Sequence, residues 1–257
     1  PLVRESFTRP RFTIETNVNG TLNVLEAISN LSSVEAQLIV TTDKVYRNVN
    51  QADGYCESDA LGGDDPYSAS KSMADILTQS WVKNFSSPPT AIARAGNVIG
   101  GGDISKDRLL PDLMRSFLSG KPALIRSPSA VRPWQHVLDC LRGYLLLIER
   151  LRSGAECSEP WNFGPTQSAF ATVAEVSSIA AEAWGLDAVV SIDDRAHPKE
   201  AGLLTLDAAK ARRELNWTDL LTLTESVQWT IEWTRSVSRG RSALDASVAD
   251  LERFSRL

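Results

Sequence analysis

The stretch QLIVTTDKVY at 37–46, followed by DPYSASK at 65–71, decides the fold. Leu38-Ile39-Val40 is a short apolar run of the kind a buried parallel strand shows. A polar, glycine-containing loop then leads to Asp65, and Pro66 suits the first turn of a new helix. That helix carries Tyr67, Lys71, Ile76, Leu77 and Trp81, and Pro88-Pro89 ends it. Thr90–Ala95 reads as the next strand. Upstream, Ile14, Val18, Leu22, Leu25 and Ile28 recur at helical spacing, which predicts an amphipathic helix over 12–30. Helix, strand, helix, strand, with polar loops at the strand ends, implies an α/β fold with a parallel sheet.

Beyond Gly96 the texture changes. Gly100-Gly101-Gly102-Asp103 is expected to be a loop, Leu109–Leu118 a short helix and Ala123–Arg126 a strand. Helices are expected at 137–152, 172–184, 207–215 and 222–237, with strands at 161–163, 189–192 and 203–206. Leu244, Val248, Leu251 and Phe254 mark a last amphipathic helix. Neither an internal repeat nor a linker is evident, and two lobes built from interleaved segments are expected.

The chain has 257 residues, of which 42% are hydrophobic and 23% charged, which excludes a disordered or low-complexity protein. A net charge of −5 without a basic run argues against nucleic acid and anionic membrane as partners. Cys56, Cys140 and Cys157 are scattered and form no CxxC, and there are two histidines, so neither a disulfide framework nor a metal centre is indicated. No apolar run reaches the roughly 18 residues of a membrane span, and the opening is no signal peptide; a cytoplasmic location is the expectation.

Tyr67 and Lys71 lie four apart on the predicted helix, so both project from one face. An ammonium beside a phenol stabilises the phenolate, which makes Tyr67 a candidate base for an alcohol undergoing oxidation. Taken alone, YxxxK also fits a surface tyrosine near a solvated lysine. Thr41-Thr42-Asp43-Lys44 emerges at the carboxyl end of the first predicted strand, where α/β sheets place their sites. A Thr/Asp pair that only caps a turn is the plainer alternative. Arg94–Asp103 leaves the next strand at the same sheet edge, and Asn97 in it can both donate to and accept from a sugar. In Arg132-Pro133-Trp134-Gln135-His136 the arginine suits a phosphate, although packing at a helix entrance accounts for the segment equally well.

Taken together, TNVNGT, TTDKVY, DPYSASK, ARAGNVIGGGD, DRLLPD, RPWQHV, GYLLL and WNFGP resemble the extended short-chain dehydrogenases/reductases of the NAD-dependent epimerase/dehydratase superfamily. Within it, the resemblance is to the CDP-glucose 4,6-dehydratases, and it runs from Pro1 to about Trp233. The fold this implies is the C-terminal part of a Rossmann-type doubly wound parallel sheet plus a smaller α/β substrate-binding lobe. Residues 1–100 would be a partial NAD-binding domain and 101–257 mainly the substrate lobe, with 133–165 returning to the first domain. The implied chemistry is oxidation at C4 of the sugar, loss of water across C5–C6 and return of hydride to C6. In that scheme Thr42, Asp43, Lys44, Tyr67 and Lys71 are catalytic, with Tyr67 and Lys71 also touching NAD. Asn97, Arg108, Arg132 and His136 would surround the nucleotide-sugar, and the helices over 12–30 and 66–86 would form a homodimer. No metal is implied.

Where the dTDP-glucose relatives carry glutamate, this sequence has Lys44, which acts either as a neutral base or as an electrostatic partner of Asp43. It also departs from the pattern at Ile104, at Asp139-Cys140 and at Lys199. None of its 15 glycines forms the GxxGxxG turn whose amides bind pyrophosphate. The resemblance therefore implies an N-terminally truncated chain, inactive by itself. Two alternatives stay open: a nucleotide-sugar epimerase or reductase of the same superfamily, and a non-catalytic chain that only assembles with a partner.

Overall fold

A computed structural model describes residues 2–257 apart from 86, 167–168, 194 and 196–201. The first elements are α1 (Val3–Thr8), α2 (Pro10–Ile14), a π-helical segment (Glu15–Asn19), α3 (Gly20–Ser29), β1 (Gln37–Val40) and a 3-10 turn (Asp43–Val45). They are followed by α4 (Pro66–Asn84), β2 (Thr90–Ala95), β3 (Asn97–Ile99), α5 (Leu109–Leu118), β4 (Ala123–Ile125), β5 (Val131–His136) and α6 (Val137–Arg152). The remainder comprises β6 (Pro160–Phe163), β7 (Phe170–Thr172), α7 (Val173–Trp184), β8 (Val190–Ile192), α8 (Ala209–Leu215), α9 (Leu223–Ser238) and α10 (Ala243–Phe254).

Two compact units result. The first contains 1–96, 141–164 and 204–218; the second contains 97–140, 165–203 and 219–257. Beyond a shift of the first boundary from 100 to 96, these limits differ from the sequence expectation in two places. The return segment begins inside α6 rather than at 133, and 204–218 joins the first unit. Apolar contact accounts for the second difference. Ala208, Ala211, Leu215 and Trp217 are buried with Trp161 and Phe163 of β6 in one core cluster.

In the first unit the strand order is β1-β2-β6, all parallel, with Leu38 paired to Ala91 and Ala93 to Trp161. Every residue of β2 is buried, as a strand covered on both faces requires. Asp65 caps α4 by accepting from the Ser68 amide at 2.9 Å, and Pro66 fills the first helical position. Ser6 of α1 takes the Tyr67 amide at 3.2 Å, so the start of α4 is satisfied from a second helix.

The second unit holds β3, β5 and β7 in one sheet and the parallel pair β4, β8 in another. Here the sequence reading missed β3, β5 and β7. Pro133 and the polar side chains of β5 hide its strand character. Yet Pro133 pairs only with Phe170 of β7, and the ladder with β3 begins one residue later at Trp134. At 203–206, where a strand was expected, single bridges form instead, at Leu203 to Val131 and at Leu206 to Tyr55.

The 100–102 loop shows why glycine clusters there. Gly102 has φ +84°, which an L side chain avoids, whereas Gly101 is constrained by space: a Cβ would stand 2.2 Å from the Trp233 ring of α9. Gly20, by contrast, has helical dihedrals and nothing within 4 Å of a Cβ. Gly101→Ala is therefore expected to destabilise the protein by about 1–3 kcal/mol through overpacking. Gly20→Ala should stabilise it by about 0.5–1 kcal/mol. Denaturant melts of the two variants check this; a neutral Gly101→Ala would show that the Trp233 contact is not tight.

Candidate active site

At the carboxyl end of β1 the chain enters the 3-10 turn through Thr42, whose backbone is extended. The Thr42 hydroxyl donates to Asp43 Oδ1 at 2.9 Å and accepts from the Lys44 amide at 3.4 Å. Asp43 is fully buried, and Lys44 Nζ stands 3.7 Å from its Oδ1. Oδ1 therefore has one donor and one nearby ammonium, while Oδ2 is buried without a hydrogen-bond partner among the described residues. A buried carboxylate oxygen left in that state is costly unless it carries a proton or meets a ligand.

Tyr67 sits in the first turn of α4, and Lys71 follows one turn later on the same face. Lys71 Nζ donates to the Val40 carbonyl at 2.9 Å, which ties α4 to the last residue of β1. Burial pushes the Lys71 ammonium below its ordinary pKa, and the Asp75 carboxylate partly restores it. A groove of about 370 Å³ opens beside this lysine, lined by Thr16, Asn17, Thr21, Val40 and Lys71 among others. Its hydroxyls, amide and ammonium suit a ribose diol, so the residues present fit the nicotinamide-ribose end of a dinucleotide.

Beneath these groups lies a network that the sequence reading did not assign. Arg94 of β2 is 1% exposed and donates through Nε and Nη2 to the two oxygens of Asp75, at 2.8 and 2.7 Å. Its Nη1 reaches the Tyr46 hydroxyl at 2.8 Å and the Glu57 carbonyl at 3.2 Å. Tyr46 in turn donates to Asn162 Oδ1 at 2.7 Å, and the Asn162 amide donates to Glu57 Oε1 at 2.8 Å. Burial raises the Tyr46 phenol and the Glu57 carboxyl above their ordinary pKa values. One clue to this network was visible in the sequence: a single arginine in the otherwise apolar and hydroxylic run Thr90–Ala95.

The four residues expected around a nucleotide-sugar lie in the second unit. Asn97 opens β3 opposite Trp134, so by strand alternation it shares a face with Arg132 and His136 of β5. Arg132 is buried and donates to the Val131 carbonyl at 2.8 Å. Arg108, partly exposed, holds Asp103 at 2.6 Å, and that contact with the Ser105 bonds keeps the Asp103 carboxyl below its ordinary pKa. His136 is buried edge-on to Trp229, its Nδ1 accepting the Leu138 amide at 3.3 Å. The Gln135 side chain, also missed as a candidate, is buried with both polar atoms unpartnered among the described residues. Asp139 accepts the Leu220 and Leu221 amides, a structural task. Lys199 lies outside the described residues.

The description "NAD dependent epimerase/dehydratase family" matches residues 1–164. The CDP-glucose 4,6-dehydratase of Salmonella typhimurium is 40% identical over 263 residues, covering 99% of this chain and 73% of that protein. The chain belongs to the NAD-dependent epimerase/dehydratase family. Alignment over 99% of the chain also corrects the expectation that similarity to this family stops near Trp233. Among solved structures, the dTDP-glucose 4,6-dehydratase DesIV of Streptomyces venezuelae with NAD bound is 25% identical with a TM-score of 0.78, covering 92% of this chain and 70% of its own. MoeE5 in complex with UDP-glucuronic acid and NAD is 28% identical with a TM-score of 0.80, over 92% of this chain and 77% of its own. The Rossmann-type α/β class of this epimerase/dehydratase chain agrees with the sequence reading. Among the described residues no helix is long and apolar enough to cross a membrane.

Burial lowers the His136 pKa to about 4, so the folded protein holds the ring neutral at pH 7. The unfolded chain binds that proton near pH 6.5. Stability from this site is thus complete above the unfolded value and is lost as pH falls toward the folded one, by up to about 3 kcal/mol. His136→Phe is expected to flatten this part of the acid limb in melts between pH 6.5 and 4. Parallel curves for the two proteins would contradict it.

Proposed function

We propose that the protein is an NAD-dependent 4,6-dehydratase that converts CDP-glucose to CDP-4-keto-6-deoxyglucose. The observation that carries the reading is the Asp43–Lys44 pair at the carboxyl end of β1, with one carboxylate oxygen satisfied and the other bare. The 40% identity to the Salmonella enzyme supports both the reaction and the choice of nucleotide.

Thr16, Asn17, Thr21 and Lys71 would hold the nicotinamide ribose of NAD, which would supply the hydride acceptor for C4 and the hydride donor for C6. Tyr67 Oη takes the proton of the C4 hydroxyl, with Lys71 beside the same ribose and Thr42 completing the hydroxyl's partners. The ketone formed at C4 acidifies the C5 proton, so elimination needs a base at C5 and an acid at the C6 hydroxyl. Asp43–Lys44 supplies both. An Asp carboxylate with a Lys ammonium has the same net charge as a carboxylic acid with an amine. Moving one proton across the 3.7 Å gap converts the first pair into the second. The Asp43 carboxyl then holds the proton given to the leaving hydroxyl, and Lys44 Nζ receives the proton from C5. That proton goes back to C5 as hydride reaches C6, and the proton Tyr67 took from the C4 hydroxyl replaces the one Asp43 gave to the departing water, so only water is lost.

Asn97, Arg108, Arg132 and His136 surround the nucleotide-sugar, with Arg132 as the phosphate contact. An epimerase needs no acid and base at C5–C6, which is why the Asp43–Lys44 pair favours dehydration. The chain acts as a homodimer through the helices over 12–30 and 66–86; exposed Met73 and Ile76 on α4 support that arrangement. Ile76→Asp is expected to yield monomers in light scattering, and an unchanged mass would exclude α4 from the interface.

Assayed on the polypeptide as its cells produce it, CDP-glucose should lose one water, ahead of dTDP- and GDP-glucose. Tyr67→Phe is expected to lose about 10²–10⁴-fold in rate with the fold intact. Asp43→Asn and Lys44→Met should still exchange the C4 hydride but release no water, as mass spectrometry of the sugar nucleotide will show. Full dehydration by Tyr67→Phe would overturn the catalytic assignment.

A further inference from the structure

Arg94 is the only charged residue of β2, and it lies in a strand buried at every position. Burying a guanidinium is costly unless acceptors surround it. Replacing a buried ion pair by apolar residues of similar volume is often neutral for stability, so packing alone gives no reason to keep this one. Its connections give a reason. Asp75, one turn beyond Lys71 on α4, receives both Arg94 Nε and Nη2. Asp75 Oδ2 also accepts the Thr41 hydroxyl at 3.1 Å, and Thr41 directly precedes Thr42. Arg94 Nη1 holds the hydroxyl of Tyr46, the residue that directly follows the 3-10 turn. The Arg94–Asp75 pair thus grips the entrance of Thr42–Val45 through Asp75, its exit through Arg94, and the middle of α4.

We propose that Arg94 and Asp75 are positioning residues that hold Thr42–Lys44 and Tyr67–Lys71 in one fixed register. This rests on the dehydratase reading for what the two segments do, but not for how they are held. Lys71 gives the direct sign of that register, because its ammonium reaches the Val40 carbonyl only while α4 stays docked on the end of β1. Gln79 adds a fourth bond to Asp75, at 2.7 Å, so the carboxylate is saturated and the pair cannot easily rearrange.

The test uses the double variant Arg94→Met/Asp75→Leu of the native polypeptide, which removes both charges together. It is expected to fold and to dehydrate CDP-glucose with kcat lower on the order of 10²-fold, as a displaced catalytic group would cause. KM for CDP-glucose should stay within about threefold, since the substrate contacts are elsewhere. A second readout needs no turnover and uses Arg94→Lys, which leaves the Asp75 carboxylate beside Lys71: acetylation of Lys71 by a succinimidyl ester, followed by peptide mass spectrometry. Lys71 should react several-fold faster in the variant, while Lys83 and Lys121 react as before. Should the double variant fail to fold, Arg94→Lys, which keeps the charge but not the fork, is expected to show the same change in kcat. Unchanged kcat together with unchanged Lys71 reactivity in a folded variant overturns the proposal. If the wild-type polypeptide makes no keto sugar, the dehydratase reading fails, and the Lys71 rate alone decides whether Arg94 and Asp75 set the register.

Discussion

A guanidinium can be kept inside a parallel sheet only where acceptors surround it, and Arg94 finds them on three other segments of the chain. Satisfying that one side chain fixes where α4 sits against the ends of β1 and β2. The rest of the first unit is consistent with this placement. Ser72 of α4 donates to the carbonyls of Val45 and Gly62, so the loop after the 3-10 turn is also tied to the helix. Asn17 reaches the Ser70 hydroxyl from the π-helical segment. A helix with these bonds on several sides has little freedom to slide, which is what a pair of reacting groups at i and i+4 requires.

The same logic explains the chemical asymmetry of Asp43. Its Oδ1 accepts the Thr42 hydroxyl and faces the Lys44 ammonium, whereas Oδ2 is sealed from water and without a hydrogen-bond partner among the described residues. Neighbouring residues alone create that difference, because the 3-10 turn folds Thr42 and Lys44 back onto one oxygen. A lysine in this position keeps the pair electrically neutral, and a neutral pair of acid and base is what an elimination consumes and restores.

Legibility in the sequence followed range. Helices with a clear apolar period, such as α5 and α9, and short apolar strands such as β1 and β2 were readable, because each depends on residues close together in the chain. Tyr67, Lys71 and the Thr42–Lys44 turn were readable for the same reason, their spacing being set by one helix and one turn. Arg94, Asp75, Tyr46 and Asn162 were not assigned, because their partners stand 19 to 116 residues away. β5 escaped because Pro133 imitates a loop, and only its pairing with β7 and then β3 shows the strand. Arg132 and His136 were singled out by a motif, yet a motif does not reveal that both are buried, with His136 packed on Trp229.

The path of one hydrogen tests the account most directly. CDP-glucose carrying deuterium at C4 should give CDP-4-keto-6-deoxyglucose with that deuterium on C6, as the combination of C4 oxidation, elimination by Asp43–Lys44 and internal hydride return demands. Deuterium recovered at C4 of a sugar that has kept its C6 hydroxyl would contradict the account and make this chain an epimerase or reductase instead.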